Sequence, residues 1–396
     1  MFPSHDRTQT VTRQNQANQP RIDYTSSEGA LLLEPQRTNE LTYSNNLSTD
    51  KQEFGVSLVQ DQTGLDGSSN GYTLTEDSNT SEHYVILDAM ATATNQQLTS
   101  SIFIKPNGRN KIQLWNYYLS NQFARVDIDL STNTTSNGTA SNMTFDNATV
   151  EDYPNGWKRV SITSTKSLST YAYQIRVSLL DDNGNASYQG NGTGGVILFG
   201  QQIELASYPT SYIPTNGQTE TRAADVCDGG GSADVFNDSE GVLFVEMNLL
   251  EDESTVDRRI TIEGTNGGTD RVGFRFTSGD LLYVQLKNTL MADTISNLDF
   301  TNYLKAAIAY NTTSIRLFVN GQFVDDRTSI DGVVSGLSEL KFLAAFADSN
   351  YFDGNIKSVI YFPETLTDEE LQRLTSPSAD ATTFTELANN NGYTIL

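Results

Sequence analysis

The sequence predicts an all-β protein built from two tandem antiparallel β-sandwiches of jelly-roll type, with one short helix near the C-terminal end. Short segments with alternating apolar and polar residues recur along the chain, as expected for half-buried strands. Clusters of glycine, asparagine and serine separate these segments, which is typical of antiparallel sandwiches. A proline-containing stretch between two strand-rich blocks indicates two domains rather than one.

The N-terminal segment, residues 1–36, is predicted to form an extended anchor. Residues 1–20 are polar and show no apolar periodicity. Such a segment buries too little apolar surface to offset the entropy that is lost on ordering. We therefore expect it to be disordered or to be held by a partner.

The first sandwich is predicted over residues 37–207. Alternating patterns predict half-buried strands at Ser101–Lys105, Lys111–Tyr118, Ala124–Leu130, Arg159–Thr163 and Tyr171–Leu179. Turn clusters separate these strands, and one of them contains the dipeptide Asn183–Gly184. This dipeptide favours the positive φ angles of tight hairpins.

Residues 208–237 are predicted to be a stiff, extended connector between the two sandwiches. The stretch contains two X-Pro steps, Tyr208–Pro209 and Ile213–Pro214. Proline disfavours α conformation in the residue that precedes it. The segment is therefore expected to run extended from one block to the next.

The second sandwich is predicted over residues 238–376. Its strands are predicted at Val242–Met247, Arg258–Ile262, Arg271–Phe276, Leu282–Leu286, Ala306–Tyr310, Ser314–Val319 and Gln322–Val324, with a hairpin at Asn320–Gly321. A capping box at Thr367–Glu370, with Leu366 and Leu371 as a hydrophobic staple, predicts the helix. The tail, residues 377–396, is polar with an apolar tip and is expected to dock as a strand or to fray.

A resemblance that covers most of the chain rests on the strings Pro20–Tyr24, Ala30–Asn39, Phe199–Leu205, Tyr208–Arg222, Ala306–Val324 and Phe352–Phe362. These strings are similar to segments of bacteriophage virion proteins of the tail-fibre or capsid-fibre type. Such proteins pair a carbohydrate-binding-module-like jelly roll with a concanavalin A-like or laminin-G-like domain. The resemblance implies a place on the virion surface and contacts with other virion structural proteins. It also implies that Trp157 is a buried structural residue.

The chain is acidic, with 25 Lys and Arg residues against 49 Asp and Glu residues and a formal net charge of -24. Such a surface repels phosphate backbones and anionic membrane surfaces, so nucleic-acid binding is not expected. No segment approaches the roughly 18 consecutive apolar residues of a membrane span, so membrane insertion is not expected either. Cys227 is the only cysteine, which excludes an intrachain disulfide.

No catalytic residue is predicted, and the protein is not expected to be an enzyme. The two histidines, His5 and His83, have no Gly-X-Ser-X-Gly motif beside which to form a hydrolase triad and no clustered ligands for zinc. The nearest candidate for the paired carboxylates of a glycosidase is Glu251–Glu253. It lacks the apolar–acidic alternation of such a strand and predicts a solvated acidic turn.

A calcium site is considered at Asp181, Asn183 and Asn185, whose spacing is similar to that of a calcium loop. Glycine stands at the fourth place rather than the sixth and no glutamate follows at the twelfth, so an EF-hand is excluded. A hairpin turn explains the same residues. No cofactor is predicted. The resemblance to jelly-roll binding modules is compatible with a structural calcium ion but does not indicate which residues would bind it.

A carbohydrate-binding face is the positive prediction. Side chains alternate between the two faces of a strand, so Ile112 and Leu114 are expected to point inward. If Lys111–Tyr118 shares one sheet with Ala124–Leu130 and Tyr171–Leu179, the outward set consists of Gln113, Trp115, Tyr117, Arg125, Asp127, Gln174 and Arg176. Aromatic rings stack on the C–H faces of sugars, and planar polar groups bind sugar hydroxyls. The alternative is that a loop, domain or subunit covers these rings, because interfaces are also rich in aromatic residues.

We therefore expect a phage virion surface protein, such as a fibre, spike or decoration protein, that mediates host attachment. It would bind host surface glycans weakly at each site, and a homo-oligomer in many copies would gain avidity of about 100-fold or more. Two other functions stay open. One is a purely structural subunit that binds only other virion proteins, and the other is a polysaccharide depolymerase.

Overall fold

The computed structural model describes residues 20–24, 29–92, 96–119, 121–166, 171–251, 258–264, 270–277, 281–287, 289–294, 298–328, 330, 332, 334–342 and 352–391. The chain divides into two compact units, and each has its own apolar core. Among the described residues, the first unit comprises Gln36–Ala223, and the second comprises Pro20–Pro35 together with the chain from Ala224 onward. The protein is all-β, as the sequence predicted, with two short helices in the described part of the chain.

The first two strands belong to the second unit. β1 (Arg21–Asp23) and β2 (Ala30–Leu33) pair antiparallel, and β2 continues the ladder with the last strand, β27 (Gly354–Phe362). Leu33 is buried in the second core. The predicted anchor over residues 1–36 is therefore corrected for residues 20–35, because their apolar side chains and backbone groups complete a sheet.

The first unit is a sandwich of two antiparallel sheets. Its strands are β3 (Arg37–Asn39), β4 (Gln52–Phe54), β5 (Val56–Gln62), β6 (Gly71–Glu76), β7 (Thr80–Thr92), β8 (Gln97–Asn107), β9 (Lys111–Leu119), β10 (Gln122–Asp129), β11 (Thr134–Ser141), β12 (Met143–Asp152), β13 (Lys158–Lys166), β14 (Tyr171–Leu179), β15 (Ser187–Gln189), β16 (Gly195–Glu204) and β17 (Glu220–Arg222). One sheet has the order β11-β10-β9-β14-β7-β15, with β4 also paired to β7. The other has the order β12-β13-β8-β16-β6-β5, and β17 pairs with β3 as a separate ribbon. We call the first of these the front sheet and the second the back sheet.

The core of the first unit lies between the front and back sheets. It contains, among others, Ile112, Leu114, Val126, Ile128, Ile175 and Val177 from the front sheet and Ile102, Ile104, Val160, Ile162, Val196 and Leu198 from the back sheet. Polar side chains also cross this core: for example, the Asn116 amide donates to the Ser164 hydroxyl at 2.7 Å and to the Ile162 carbonyl at 3.3 Å. The predicted alternation along β9, β10 and β14 is confirmed.

The proline-containing stretch is not a free connector. Tyr212 and Ile213 are buried, and Tyr212 joins Phe103, Trp157 and Phe199 in a cluster on the outer side of the back sheet. The Ile213 N–H donates to the Gln202 side chain at 2.6 Å. Residues 208–223 therefore belong to the first unit, because the apolar side chains between the prolines pack on its surface. Trp157 is buried there, as expected.

The second unit is also a sandwich of two antiparallel sheets. Its remaining strands are β18 (Gly241–Leu249), β19 (Arg258–Gly264), β20 (Arg271–Thr277), β21 (Leu281–Leu286), β22 (Thr289–Thr294), β23 (Leu304–Tyr310), β24 (Ile315–Val319), β25 (Gln322–Arg327) and β26 (Leu337–Lys341). The sheets have the orders β1-β2-β27-β18-β23-β24-β25 and β22-β21-β20-β19-β26. The Asn320–Gly321 hairpin is confirmed, with φ angles of 49° and 80° that suit these two residues.

Two helices follow the last strand. α1 (Asp368–Thr375) has the predicted capping box, in which the Thr367 hydroxyl accepts from the Glu370 N–H. α2 (Ala381–Asn390) was not predicted, and it corrects the tail over those residues. Asp380 caps α2. The β-branched threonines that follow it have low helix propensity, so the sequence of this segment does not predict a helix clearly. The apolar tip of the tail lies outside the described residues.

Candidate functional site

The predicted binding residues lie on one face of the front sheet. Register pairs Trp115 of β9 with Arg125 of β10 and with Arg176 of β14. In the same way it pairs Gln113 with Asp127 and Tyr117 with Gln174. The three strands β9, β10 and β14 therefore share one sheet, which is the condition on which the sequence prediction depended. All of these side chains point away from the core.

Further aromatic side chains lie on the same face. Phe54 of β4 stacks on Tyr84 of β7, with ring centroids 4.6 Å apart. Phe123 of β10 packs against Trp115 with ring centroids 4.8 Å apart. We call the set of rings and guanidinium groups on this side of the front sheet the aromatic–arginine face: Phe54, Tyr84, Trp115, Tyr117, Phe123, Arg125 and Arg176.

Two arginines cover the central indole. The guanidinium carbon of Arg125 lies 4.7 Å from the ring centroid of Trp115, and that of Arg176 lies 4.3 Å from it. Arg176 also lies 3.6 Å from the ring centroid of Tyr84. Such cation–π contacts are stabilising, and they leave Trp115 only 6% exposed. The cover of the indole comes from side chains of the neighbouring strands of the same sheet, rather than from the loop, domain or subunit of the alternative.

The polar side chains of the face are organised by mutual hydrogen bonds. The Gln113 amide donates to the Asp127 carboxylate at 2.5 Å. Arg176 donates to the Glu82 carboxylate at 2.9 Å and to the Ser178 hydroxyl at 2.9 Å. These bonds fix the planes of the amide and the guanidinium group, so the face is organised in the absence of any ligand.

Two buried polar atoms at the centre of the face have no hydrogen-bond partner among the described residues. They are Nε1 of Trp115, which can only donate, and Oε1 of Gln113, which can only accept. Trp115 and Gln113 are 6% and 7% exposed. An unsatisfied buried polar group costs about 1–3 kcal/mol, so a polar partner that reached either atom would be favoured.

Tyr84 contributes a neutral hydroxyl to the face. Burial raises the pKa of Tyr84, although the neighbouring Arg176 guanidinium opposes the rise. The phenol is therefore protonated at neutral pH and can both donate and accept a hydrogen bond.

The other candidate residues are structural where the structure describes them. The ring nitrogens of buried His83 lie 2.8 Å and 3.2 Å from the carbonyl oxygens of Gly55 and Tyr188, and His5 lies outside the described residues. Glu251 accepts from Arg258 at 3.1 Å, and residues 252–253 lie outside the described part. His83 Nδ1 also lies 3.6 Å from the Asp77 carboxylate, so Gly55, Tyr188 and Asp77 surround its ring nitrogens.

The Asp181 region forms a turn. The Asp181 carboxylate accepts from the N–H groups of Asn183 and Asn185 and from the Asn185 amide, at 2.7–2.9 Å. Gly184 has a φ of 85°, but β14 and β15 on either side do not pair with each other. Over the described residues, no group of three or more His, Cys, Asp or Glu side chains is placed to hold a metal ion.

Sequence reasoning missed Phe54, Tyr84 and Phe123. Phe123 lies two residues before Arg125, so alternation could have placed it on the same face. Phe54 is on a strand of three residues, too short for a periodic signal. Tyr84 could be placed only once the pairing of β7 with β14 was known.

The comparisons with known proteins give structural similarity alone. No protein-family model matches the chain, and no curated protein is found to be similar to it. Among solved structures, the CBM40 of the Ruminococcus gnavus IT-sialidase bound to α2,3-sialyllactose is similar, with a TM-score of 0.31 and 15% identity over 38% of this chain and 95% of that one.

Two longer similarities cover both units. Mouse laminin α1 chain domains LG4-5 match with a TM-score of 0.25 and 12% identity over 74% of this chain and 92% of that one. A putative carbohydrate-binding protein from Bacteroides ovatus matches with a TM-score of 0.29 and 15% identity over 76% of this chain and 79% of that one. Similarity at these TM-scores assigns neither a ligand nor a site to this chain. Neither helix in the described residues has the length and apolar composition needed to cross a bilayer.

Proposed function

We propose that the protein is a non-enzymatic carbohydrate-binding protein and that the aromatic–arginine face is its binding site. The observation that carries this proposal is the pair of buried, unsatisfied atoms beside the central indole, Trp115 Nε1 and Gln113 Oε1. Sugar hydroxyls both donate and accept, so they offer the acceptor that Trp115 Nε1 lacks and the donor that Gln113 Oε1 lacks. Rings and planar polar groups around them offer the stacking and hydrogen-bonding partners that a sugar needs.

The rest of the first unit supports this choice of face. The outer side of the back sheet is covered by Trp157, Tyr212 and Leu65, which pack with Phe103 and Phe199. On the front sheet the outward groups are held by one another rather than by such a cluster. The front sheet is therefore the side of this unit that is better suited to meet a ligand.

We further propose that the protein is located on the surface of a phage particle, where it would mediate attachment to host glycans. This part rests on the similarity of the strings Phe199–Leu205 and Tyr208–Arg222 to virion proteins. Weak single sites would be multiplied by homo-oligomeric copies, with avidity gains of about 100-fold or more. Cryo-electron microscopy of the particle tests it: density for the chain on the outer surface is expected, and its absence from the particle contradicts the proposal.

A glycan array followed by calorimetry tests the binding function. Trp115→Phe removes the indole N–H and keeps a ring, so affinity should fall about 2- to 10-fold, the equivalent of one hydrogen bond. Trp157→Phe is the matched control, because Trp157 is equally buried, at 5% exposed, on the opposite side of the same unit. This control should bind like the wild type.

Three outcomes contradict the proposal. An array without any hit favours a purely structural virion subunit. Equal losses of glycan affinity in the Trp115→Phe and Trp157→Phe variants mean that the aromatic–arginine face is not the binding site. Release of new reducing ends from a bound polysaccharide identifies a depolymerase instead.

A further inference from the structure

The groups of the aromatic–arginine face form a continuous row that crosses the front sheet. In the sheet order β4-β7-β14-β9-β10, consecutive strands contribute Phe54, Tyr84, Arg176, Trp115 and Arg125. The separations along the row are 4.6, 3.6, 4.3 and 4.7 Å. Every member therefore contacts the next, and the row runs across the strands rather than along them.

The length of the row exceeds what one sugar ring covers. It crosses four strand spacings of about 4.8 Å, or about 19 Å in total. The row is also more open at one end than at its centre, because Phe54 is 43% exposed whereas Arg176 and Trp115 are each 6% exposed. A ligand confined to the centre would make no contact with the exposed ring of Phe54.

We propose that the ligand is an internal segment of an extended polysaccharide that lies across the strands along this row, rather than a single terminal sugar. This inference rests on the proposed carbohydrate-binding function. The row presents the exposed ring of Phe54 at one end and guanidinium groups over the indole at its centre, so successive units of a chain would meet stacking and hydrogen-bonding groups in turn. The unsatisfied Trp115 Nε1 and Gln113 Oε1 fix one unit at the centre, and Phe54 binds a unit towards the β4 end.

Phe123 extends the contact surface beside the opposite end of the row. Its ring lies 4.8 Å from Trp115 between centroids, and the guanidinium carbon of Arg125 lies 5.5 Å from its centroid. Thr139 of β11 accepts from Arg125 at 3.1 Å, which holds that guanidinium group above the rings. The surface available to a chain therefore continues past the indole on both sides.

The test compares ligand lengths. Affinity electrophoresis of the full chain in gels containing β-glucan, xylan, mannan, dextran, alginate or hyaluronan identifies the polysaccharide that retards it most. Sized fragments of that polysaccharide, from the monosaccharide upward, are then titrated calorimetrically. We expect affinity to rise with fragment length until the row is covered and then to become constant.

Phe54→Ala tests the β4 end of the row. It should lower affinity for the long fragments about 2- to 10-fold, the worth of one aromatic contact, and leave the shortest binding fragment unaffected. Phe323→Ala is the matched control, because Phe323 has a similar exposure of 48% and lies on β25 of the second unit. This control should bind all fragments like the wild type.

The outcomes separate the two proposals. If affinity does not depend on length, or if Phe54→Ala changes nothing, the row is not the binding path, while the carbohydrate-binding function stands. If no polysaccharide retards the protein although the glycan array gives hits, this inference fails and the carbohydrate-binding function stands; if the array is negative as well, both fail. If Phe54→Ala alters the mass of the protein in solution instead of its glycan affinity, the face is an interface between protein chains.

Discussion

At the scale of single residues, the Glu76 carboxylate shows how the first unit keeps a charge inside. Glu76 is 2% exposed and accepts from Arg109 Nε and Nη2 at 2.8 and 2.7 Å. Tyr188 and the Asn191 N–H donate to it at 2.6 and 2.9 Å. Burial alone would raise the pKa of Glu76, but these hydrogen bonds outweigh it and hold the pKa below its usual value.

Replacing Glu76 with glutamine should destabilise the protein strongly at neutral pH. The variant leaves the Arg109 guanidinium buried without its counter-charge, which costs about 3–5 kcal/mol. Because the folded-state pKa lies below the ordinary value of 4.5, the contribution of this carboxylate is complete above that value and is lost as the pH falls through the folded-state pKa. Denaturant unfolding at several pH values should therefore show the two proteins converging in acid.

Asp182→Asn is the control for the Glu76 variant. Asp182 lies 3.9 Å from Arg109, but its side chain is 92% exposed, so its removal should cost less than about 1 kcal/mol. A constant difference between wild type and Glu76→Gln at all pH values would contradict the assignment of the lowered pKa.

The aromatic–arginine face was predictable from sequence only in part. Alternation along β9, β10 and β14 decides which side chains share a face, and this placed Trp115, Arg125 and Arg176 together. It does not decide how those side chains lie. Whether an arginine points to solvent or covers an indole depends on the rotamers and on the cross-strand neighbours, and these are known only once the register is known.

At the scale of secondary-structure elements, β2 is a strand whose pairing could not be predicted from the sequence. Its own pattern is short, and its partner β27 lies near the other end of the chain. Local periodicity carries no information about such distant pairing. The strand was therefore assigned to an anchor, whereas α1 was predicted correctly because its capping box is a local signal.

Leu33→Ala tests whether β2 belongs to the second sandwich. Leu33 is 4% exposed and packs in the second core, so the truncation should cost about 2–5 kcal/mol. The amides of β27 should also exchange hydrogen faster, because the neighbouring strand is held less firmly. Hydrogen-exchange mass spectrometry under native conditions measures this.

Leu32→Ala provides the comparison within the same strand. Leu32 points to the opposite side of β2 and is only half-buried. Leu32→Ala should therefore lower the stability less than Leu33→Ala does, and hydrogen exchange at β27 should stay closer to that of the wild type. If both variants behave alike, or if neither changes β27, residues 20–35 do not contribute a core strand in solution.

At the scale of the whole molecule, the excess of acidic residues acts on every part of the surface. The formal net charge of -24 favours solubility but opposes the compact state through self-repulsion. It also repels acidic polysaccharides at long range. Ionic strength should therefore alter the approach of an acidic glycan more than that of a neutral one.

Moderate salt should stabilise the folded protein. Raising NaCl from about 0.01 M to about 0.15 M shortens the Debye length from about 30 Å to about 8 Å, which screens repulsion between exposed carboxylates. Buried pairs such as Arg109–Glu76 and Arg258–Asp353 are screened much less, so their contribution is retained while the repulsion falls. The thermal unfolding midpoint should rise, by the same amount in KCl as in NaCl. A falling midpoint would mean that attractive surface ion pairs outweigh the net charge, and a difference between the two salts would indicate specific ion binding.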